Sequence, residues 1–200
     1  MNIIGEILEV DGIKKRIGGI LWNGEEIRIR VKELAREIAD DYGVLLEQYP
    51  DKNLVLVGIL NGVVPFLADL LKELSKHLPI DRLRYDTLAI SSYGRGTSPT
   101  ELRVEKDLKN PIAGDIALIV EDIIDTGYTA VYFKQLLVHK GAFDVRICSL
   151  LIKATQEEHE VDPDYIGFKL KRNLFVVGYG LDWADLCRFL TSIAYLEDID

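Results

Sequence analysis

Apolar and polar positions along this chain follow two periods in turn, and their alternation predicts most of its architecture. Asn23 stands three residues before Glu26, and Ile27, Val31, Leu34, Ala35, Ile38 and Tyr42 then recur at spacings of three and four. That is a helix-start signature followed by the apolar stripe of an amphipathic helix. Leu54 to Leu60 is a continuous apolar run closed by Asn61-Gly62, the pattern of a strand buried on both faces. Phe66, Leu67, Leu70, Leu71 and Leu74 define a second helix reaching to about His77, and Leu83 to Ile90 a second buried strand. The stretch from Ser91 to Thr100 is rich in Ser, Gly, Thr and Pro and predicts a loop. Ile116 to Val120 is again a strand, and the helical pattern after it stops at a C-cap signal, His139-Lys140-Gly141. Val145 to Ile152 reads as a strand, and Tyr165 to Phe168 and Leu174 to Val177 as shorter ones. A brief helical stretch is expected from about Ala184 to Leu190, and the weak alternation before Leu21 suits an arm or edge strand.

Strands alternating with helices predict an α/β protein, an open, mainly parallel sheet flanked by helices. In such a sheet ligands bind at the carboxyl ends of the strands. The 200 residues carry no internal repeat or linker, so residues 1–200 are expected to form a single domain. The net charge of −9 argues against nucleic acid as a partner and means that a polyanionic substrate must be held by local groups. No apolar stretch approaches the ~20 residues of a membrane helix, so no membrane is expected as a partner. Cys148 and Cys187 sit in apolar segments without metal or redox spacing, as buried reduced thiols would, which suits a cytoplasmic location. His77, His139 and His159 are scattered with no ligand spacing.

The chemistry concentrates at residues 115–130. The strand ending at Val120 runs into adjacent carboxylates, Glu121 and Asp122, then Ile123-Ile124-Asp125-Thr126-Gly127-Tyr128-Thr129, after which a helix opens. A strand, a Thr/Gly loop and a helix start together present unpaired N–H groups and a positive dipole end, a seat for phosphate. Carboxylates beside such a seat make sense when the ligand also carries sugar hydroxyls or Mg²⁺. On local grounds Asp125 could equally be the helix N-cap, Lys153 a lysine snorkelling from a strand end, and Phe175 a core aromatic. Asp182 and Arg188 could form an ordinary surface ion pair, and Arg95, Lys106 and Lys109 read as solvated charges.

Val120 to Thr129 resembles the phosphoribosyl-pyrophosphate (PRPP) motif of the type I phosphoribosyltransferases. Leu56 to Gly62, Ile90 to Gly94, Leu151-Ile152-Lys153 and Phe175 to Asp182 narrow the resemblance to the hypoxanthine-guanine phosphoribosyltransferases. The resemblance implies that fold, with a small hood built from the N-terminal and C-terminal segments, and a homodimer or homotetramer. It implies Mg²⁺-dependent transfer of the 5-phosphoribosyl group of PRPP to hypoxanthine or guanine, giving IMP or GMP and pyrophosphate. Asp125 would be the general base, with residues 121–123 and 125–129 around the ribose and its 5′-phosphate. Glu121, Asp122 and Asp182 would serve the metal, and Asn61, Gly62 and Arg188 the pyrophosphate. Lys153 would meet the purine O6, Phe175 would stack on the base, and Val176 and Asp182 would complete the purine site. Ser91, Ser92, Tyr93 and Gly94 would begin a lid. Asn61 stands where the family usually has lysine, in a loop marked by a cis peptide, and Tyr128 where smaller or aliphatic residues are common. Xanthine as the accepted base, or a PRPP- or nucleotide-sensing regulator without catalysis, are the alternatives.

Overall fold

The computed structural model describes residues 3–92, 102–153 and 160–199. Its centre is a six-stranded sheet in the order β5-β4-β3-β6-β7-β8. The strands are β3 (Leu54–Ile59), β4 (Leu83–Ser92), β5 (Leu102–Lys106), β6 (Ile116–Ile124), β7 (Asp144–Lys153) and β8 (Tyr165–Leu170). All neighbours pair parallel except β5, which runs antiparallel along the edge of β4. The pleat explains why the central strands read as unbroken apolar runs. Leu54 and Leu56 of β3 and Ile116, Leu118 and Val120 of β6 face one core, and Val55, Val57, Ala117 and Ile119 face the other.

Helices α1 (Gly24–Gln48) and α2 (Val64–Leu74) cover the first face, and α3 (Tyr128–His139) the second. The Asn23 side chain accepts from the N–H groups of Glu25 and Glu26, while Glu26 accepts from the Asn23 N–H, the capping box the sequence implies. Losing such a cap costs about 1 kcal/mol. Below it Ile27, Val31, Leu34, Ile38, Tyr42 and Leu46 bury one stripe of α1.

From β3 the chain crosses through α2 to β4 on one side, and from β6 through α3 to β7 on the other. The crevice between the carboxyl ends of β3 and β6 is therefore the switch point of the sheet, the usual ligand position in an open α/β sheet. Over that end lies a four-stranded antiparallel sheet, the hood, in the order β1-β2-β10-β9. It joins β1 (Ile7–Val10) and β2 (Ile13–Trp22) from one end of the chain to β9 (Phe175–Val177) and β10 (Ile193–Asp198) from the other.

Four expectations need correction. β6 runs on to Ile124, so Glu121 and Asp122 belong to the strand and not to a turn after it. Residues 184–190 form no helix: Ala184, Asp185 and Cys187 have positive φ, and left-handed residues in that rhythm cannot sustain a right-handed helix. Lys106, though partly exposed, is not a free surface charge: its ammonium donates to the Thr87 carbonyl and pairs with Asp86 at 3.3 Å. Cys148 is buried as expected, but Cys187 is only partly so. Strands β5 and β10 were not foreseen. Tyr93, Gly94, Arg95 and His159 lie outside the described residues, and Ser91 and Ser92 close β4. No helix among the described residues is long and apolar enough to cross a membrane.

Candidate active site

Consecutive strand residues point to opposite faces, so the pleat separates Glu121 from Asp122. Asp122 follows Val120 toward the α2 side, where its carboxylate lies against Gly62. A Cβ built on Gly62 would stand 1.8 Å from Asp122 Oδ2 and 3.4 Å from the Gly180 carbonyl oxygen. Glycine at 62 is therefore demanded by close approach: the loop after β3 and the carboxylate of β6 occupy adjoining space. The peptide joining Leu60 to Asn61 is cis, the form the resemblance implies for this loop.

Glu121 is 7% exposed, and its Oε2 is buried with no hydrogen-bond partner. An unpaired buried carboxylate oxygen is costly. Burial, reinforced by the neighbouring Asp122 charge, pushes the Glu121 carboxyl up to about 8. Burial also pushes Asp122 up to about 6, opposed by its backbone N–H contacts and by Arg188, and assisted by Asp182. Both groups are held short of solvation they would have in water, which is the condition of a site awaiting a hydroxyl donor or a cation.

After Ile124 the chain turns through Asp125-Thr126-Gly127 into α3. Gly127, at φ 92°, is the N-cap, a left-handed position suited to glycine. Asp125 is thus not the cap of this helix, and no side chain caps it. The first backbone bond of the helix runs from the Val131 N–H to the Gly127 carbonyl at 3.0 Å. The amides before it have no intrahelical acceptor and, with the dipole, form an anion seat beside the hydroxyls of Thr126 and Thr129. Tyr128 is exposed in the first turn.

Asp125 is exposed on this turn, and Lys153, the last residue of β7, donates to its Oδ2 at 2.7 Å. Parallel pairing of β6 with β7 brings them together, with Ile124 opposite Ile152. Lys153 is therefore not a freely snorkelling lysine but half of an ion pair at the carboxyl ends of β6 and β7.

The segment after β9 closes the other side. Phe175, which opens β9, is 47% exposed and is no core aromatic, whereas Val176 is buried against the core. Asp182 accepts from Arg188 Nη2 at 2.8 Å and from the Asp185 N–H at 2.7 Å. Arg188 also donates to the Gly180 carbonyl at 2.9 Å and to Asp185. Sequence reasoning missed the anchor of this segment: Tyr179, buried and at φ 51°, donates its hydroxyl to Asp69 of α2 at 2.8 Å. A tyrosine between two glycines was the available signal.

The structure thus brings Gly62, Asp122, Asp182 and Arg188 into one neighbourhood and pairs Asp125 with Lys153. Among the described residues no three His, Cys, Asp or Glu side chains form a metal site by themselves. Hard oxygen donors with an orphaned buried carboxylate do fit Mg²⁺, which commonly takes one or two carboxylates and completes its shell from substrate phosphates and water.

The phosphoribosyl transferase domain family matches residues 20–183. The hypoxanthine-guanine phosphoribosyltransferase of Lactococcus lactis is 41% identical over 186 residues, covering 92% of this chain and 94% of that protein. That of Bacillus subtilis is 37% identical, covering 92% and 96%. The crystal structure of the Trypanosoma cruzi hypoxanthine phosphoribosyltransferase superposes with a TM-score of 0.77 at 36% identity, covering 90% of this chain and 97% of that one.

Proposed function

This chain belongs to the phosphoribosyl transferase family, grouping with its hypoxanthine-guanine members, and we propose that it transfers the 5-phosphoribosyl group of PRPP to hypoxanthine or guanine. The products are IMP or GMP and pyrophosphate, a purine-salvage reaction. The observation that carries this reading is the Asp125–Lys153 pair, 2.7 Å apart at the carboxyl ends of β6 and β7 and next to the uncapped start of α3. A carboxylate and an ammonium so spaced suit one edge of a 6-oxopurine, which offers N7 and O6 side by side.

In the reaction, the N9 lone pair attacks C1′ of the ribose. The C1′–O bond breaks and pyrophosphate leaves with the electron pair. Asp125 takes the proton the base then loses at N7, and general-base help of this kind contributes roughly 10²–10⁴-fold. Lys153 donates to O6 and rejects a 6-amino group, which has no acceptor to offer it. The amides and hydroxyls of residues 125–129 hold the 5′-phosphate. Glu121 and Asp122 accept from the ribose hydroxyls and, once those donors or Mg²⁺ relieve the desolvation that keeps Glu121 protonated, stabilise as anions the positive charge developing on the sugar. Phe175 stacks on the base, and the backbone of Val176 and the neighbourhood of Asp182 read its far edge. The Asn61-Gly62 amides and Arg188 grip pyrophosphate, the latter with a fork of donors suited to it. Glu121, Asp122 and Asp182 are the carboxylates from which Mg²⁺ would take one or two ligands, and when bound it would neutralise pyrophosphate charge. The segment beginning at Ser91-Ser92-Tyr93-Gly94 serves as a lid against water. We place the enzyme in the cytoplasm, as one domain in a homodimer or homotetramer.

Incubation with PRPP, Mg²⁺ and each purine base, followed by separation of nucleotides, tests the proposal. Turnover of hypoxanthine or guanine with adenine inert is expected. Failure with every 6-oxopurine would overturn it.

A further inference from the structure

The family match spans residues 20–183 and so omits β1, most of β2 and all of β10. The omitted parts of β2 and β10 meet directly behind Phe175. In the register of β2 with β10, Lys15 lies opposite Asp198, and in that of β10 with β9, Leu196 lies opposite Phe175. Alternation along each strand puts Lys15, Asp198, Leu196 and Phe175 on one face of the hood.

On that face the Lys15 ammonium sits 5.7 Å from the centroid of the Phe175 ring and 5.9 Å from that of Trp183. It also pairs with the Asp198 carboxylate. Its side chain is only 17% exposed, against 54% for Lys14 beside it. A surface lysine free to choose would keep its ammonium in water. Here the cation is drawn in between two aromatic rings and tied to a strand 183 positions away, while Phe175 keeps nearly half its surface open.

We infer that Lys15 is a positioning residue for the purine site: it fixes the Phe175 ring, together with Trp183, so that the base stacks on a surface already in place. The inference rests on Phe175 being the stacking residue of the proposed reaction and deepens that reading. The chemistry is that of a cation beside aromatic rings, an attraction that orders the ring without touching the ligand. Asp198 holds the ammonium there, and the pairing of β2 with β10 brings the two together. A pre-ordered aromatic lowers the ordering cost of binding the base and leaves the sugar, phosphate and proton chemistry untouched. The effect therefore belongs in base affinity.

Steady-state kinetics on the full chain with wild type, Lys15→Met and Lys15→Arg test this. Lys15→Met should raise the KM for hypoxanthine or guanine by roughly two- to fivefold, with kcat and the KM for PRPP unchanged within twofold. Lys15→Arg, which keeps a cation between the rings, should restore the wild-type value. An unchanged base KM in Lys15→Met, or equal losses in base KM, PRPP KM and kcat, overturns the inference while leaving the proposed function intact. A Lys15→Arg variant as weak as Lys15→Met overturns it as well. An inactive wild type removes the proposed function, and this inference with it.

Discussion

The two walls of the crevice are built differently. The sheet wall, from β3 and β6, consists of parallel strands buried on both faces, and its functional groups sit where burial itself alters them: Glu121 and Asp122 are both raised by desolvation. The hood wall consists of antiparallel strands drawn from opposite ends of the chain, and its candidate groups are less deeply buried: Phe175 keeps nearly half its surface exposed, and Asp182 and Arg188, each about a quarter exposed, satisfy each other. Buried charges act strongly but must be held rigidly, whereas exposed rings recognise a flat ligand with modest energy. The sheet wall is thus suited to charge and proton chemistry, and the hood to choosing and seating the base.

The sharpest way to break that division is to disarm the proton chemistry on the exposed turn that continues the sheet wall past β6, without moving it. Asp125→Asn keeps the shape of the side chain and removes its basicity. A fall in kcat of roughly 10²–10⁴-fold is expected, with the KM for PRPP nearly unchanged. Steady-state kinetics with both substrates varied decides it, and an unchanged kcat would remove Asp125 from the proton path.

A second substitution tests rigidity. Because a Cβ on Gly62 would fall 1.8 Å from Asp122 Oδ2, Gly62→Ala must displace either the carboxylate or the loop. A misplacement of about 1 Å can cost on the order of 10²-fold, and a loss of that size in kcat/KM for PRPP is expected. Thermal unfolding should show a folded protein. Activity within threefold of wild type would mean that the loop and the carboxylate are not mutually fitted.

The same contrast governs what the sequence disclosed. The sheet wall was legible because its signals are local. Apolar runs marked β3, β6 and β7, and the Asn23 to Glu26 spacing marked the start of α1. The proposed phosphate seat lies within one short stretch of chain. Its error was also local: the apolar run stops at Val120 and puts Glu121 and Asp122 in a turn after the strand, although pairing with β7 carries the strand to Ile124. The hood was hard to read because its order comes from partners far away. β10 is short, ends in Glu197 and Asp198, and becomes a strand by pairing with β2 and β9. Residues 184–190 look helical in composition, yet the chain there is bent by left-handed positions and tied back by the N–H groups of Tyr179 and Gly180 to the Leu190 and Arg188 carbonyls. No periodicity announces such a turn. Nor could it announce that Lys15 and Asp198 would meet.

The smallest effect expected is on stability, and it isolates the cost of the sheet wall's buried charge. The Glu121 carboxyl is raised from 4.5 to about 8 in the folded chain by burial and by Asp122. Below pH ~4.5 both folded and unfolded chains keep this proton, and the group carries no penalty. As pH rises toward 8 the unfolded chain releases a proton that the folded chain retains, so folding loses stability through that window and levels off above it. Asp122, raised from 3.8 to about 6, adds a similar loss at lower pH. Glu121→Gln cannot ionise and escapes the first of these. Its melting temperature, less that of wild type, should therefore climb steadily between pH 4.5 and 8. The change with pH is the readout, since an amide at this site has its own unpaired groups and fixes the offset arbitrarily. Catalysis should move the other way, because the amide cannot supply the negative charge that the sugar's transition state requires. A difference flat with pH would mean that Glu121 ionises freely in the folded protein, and the sheet wall would then be as open as the hood.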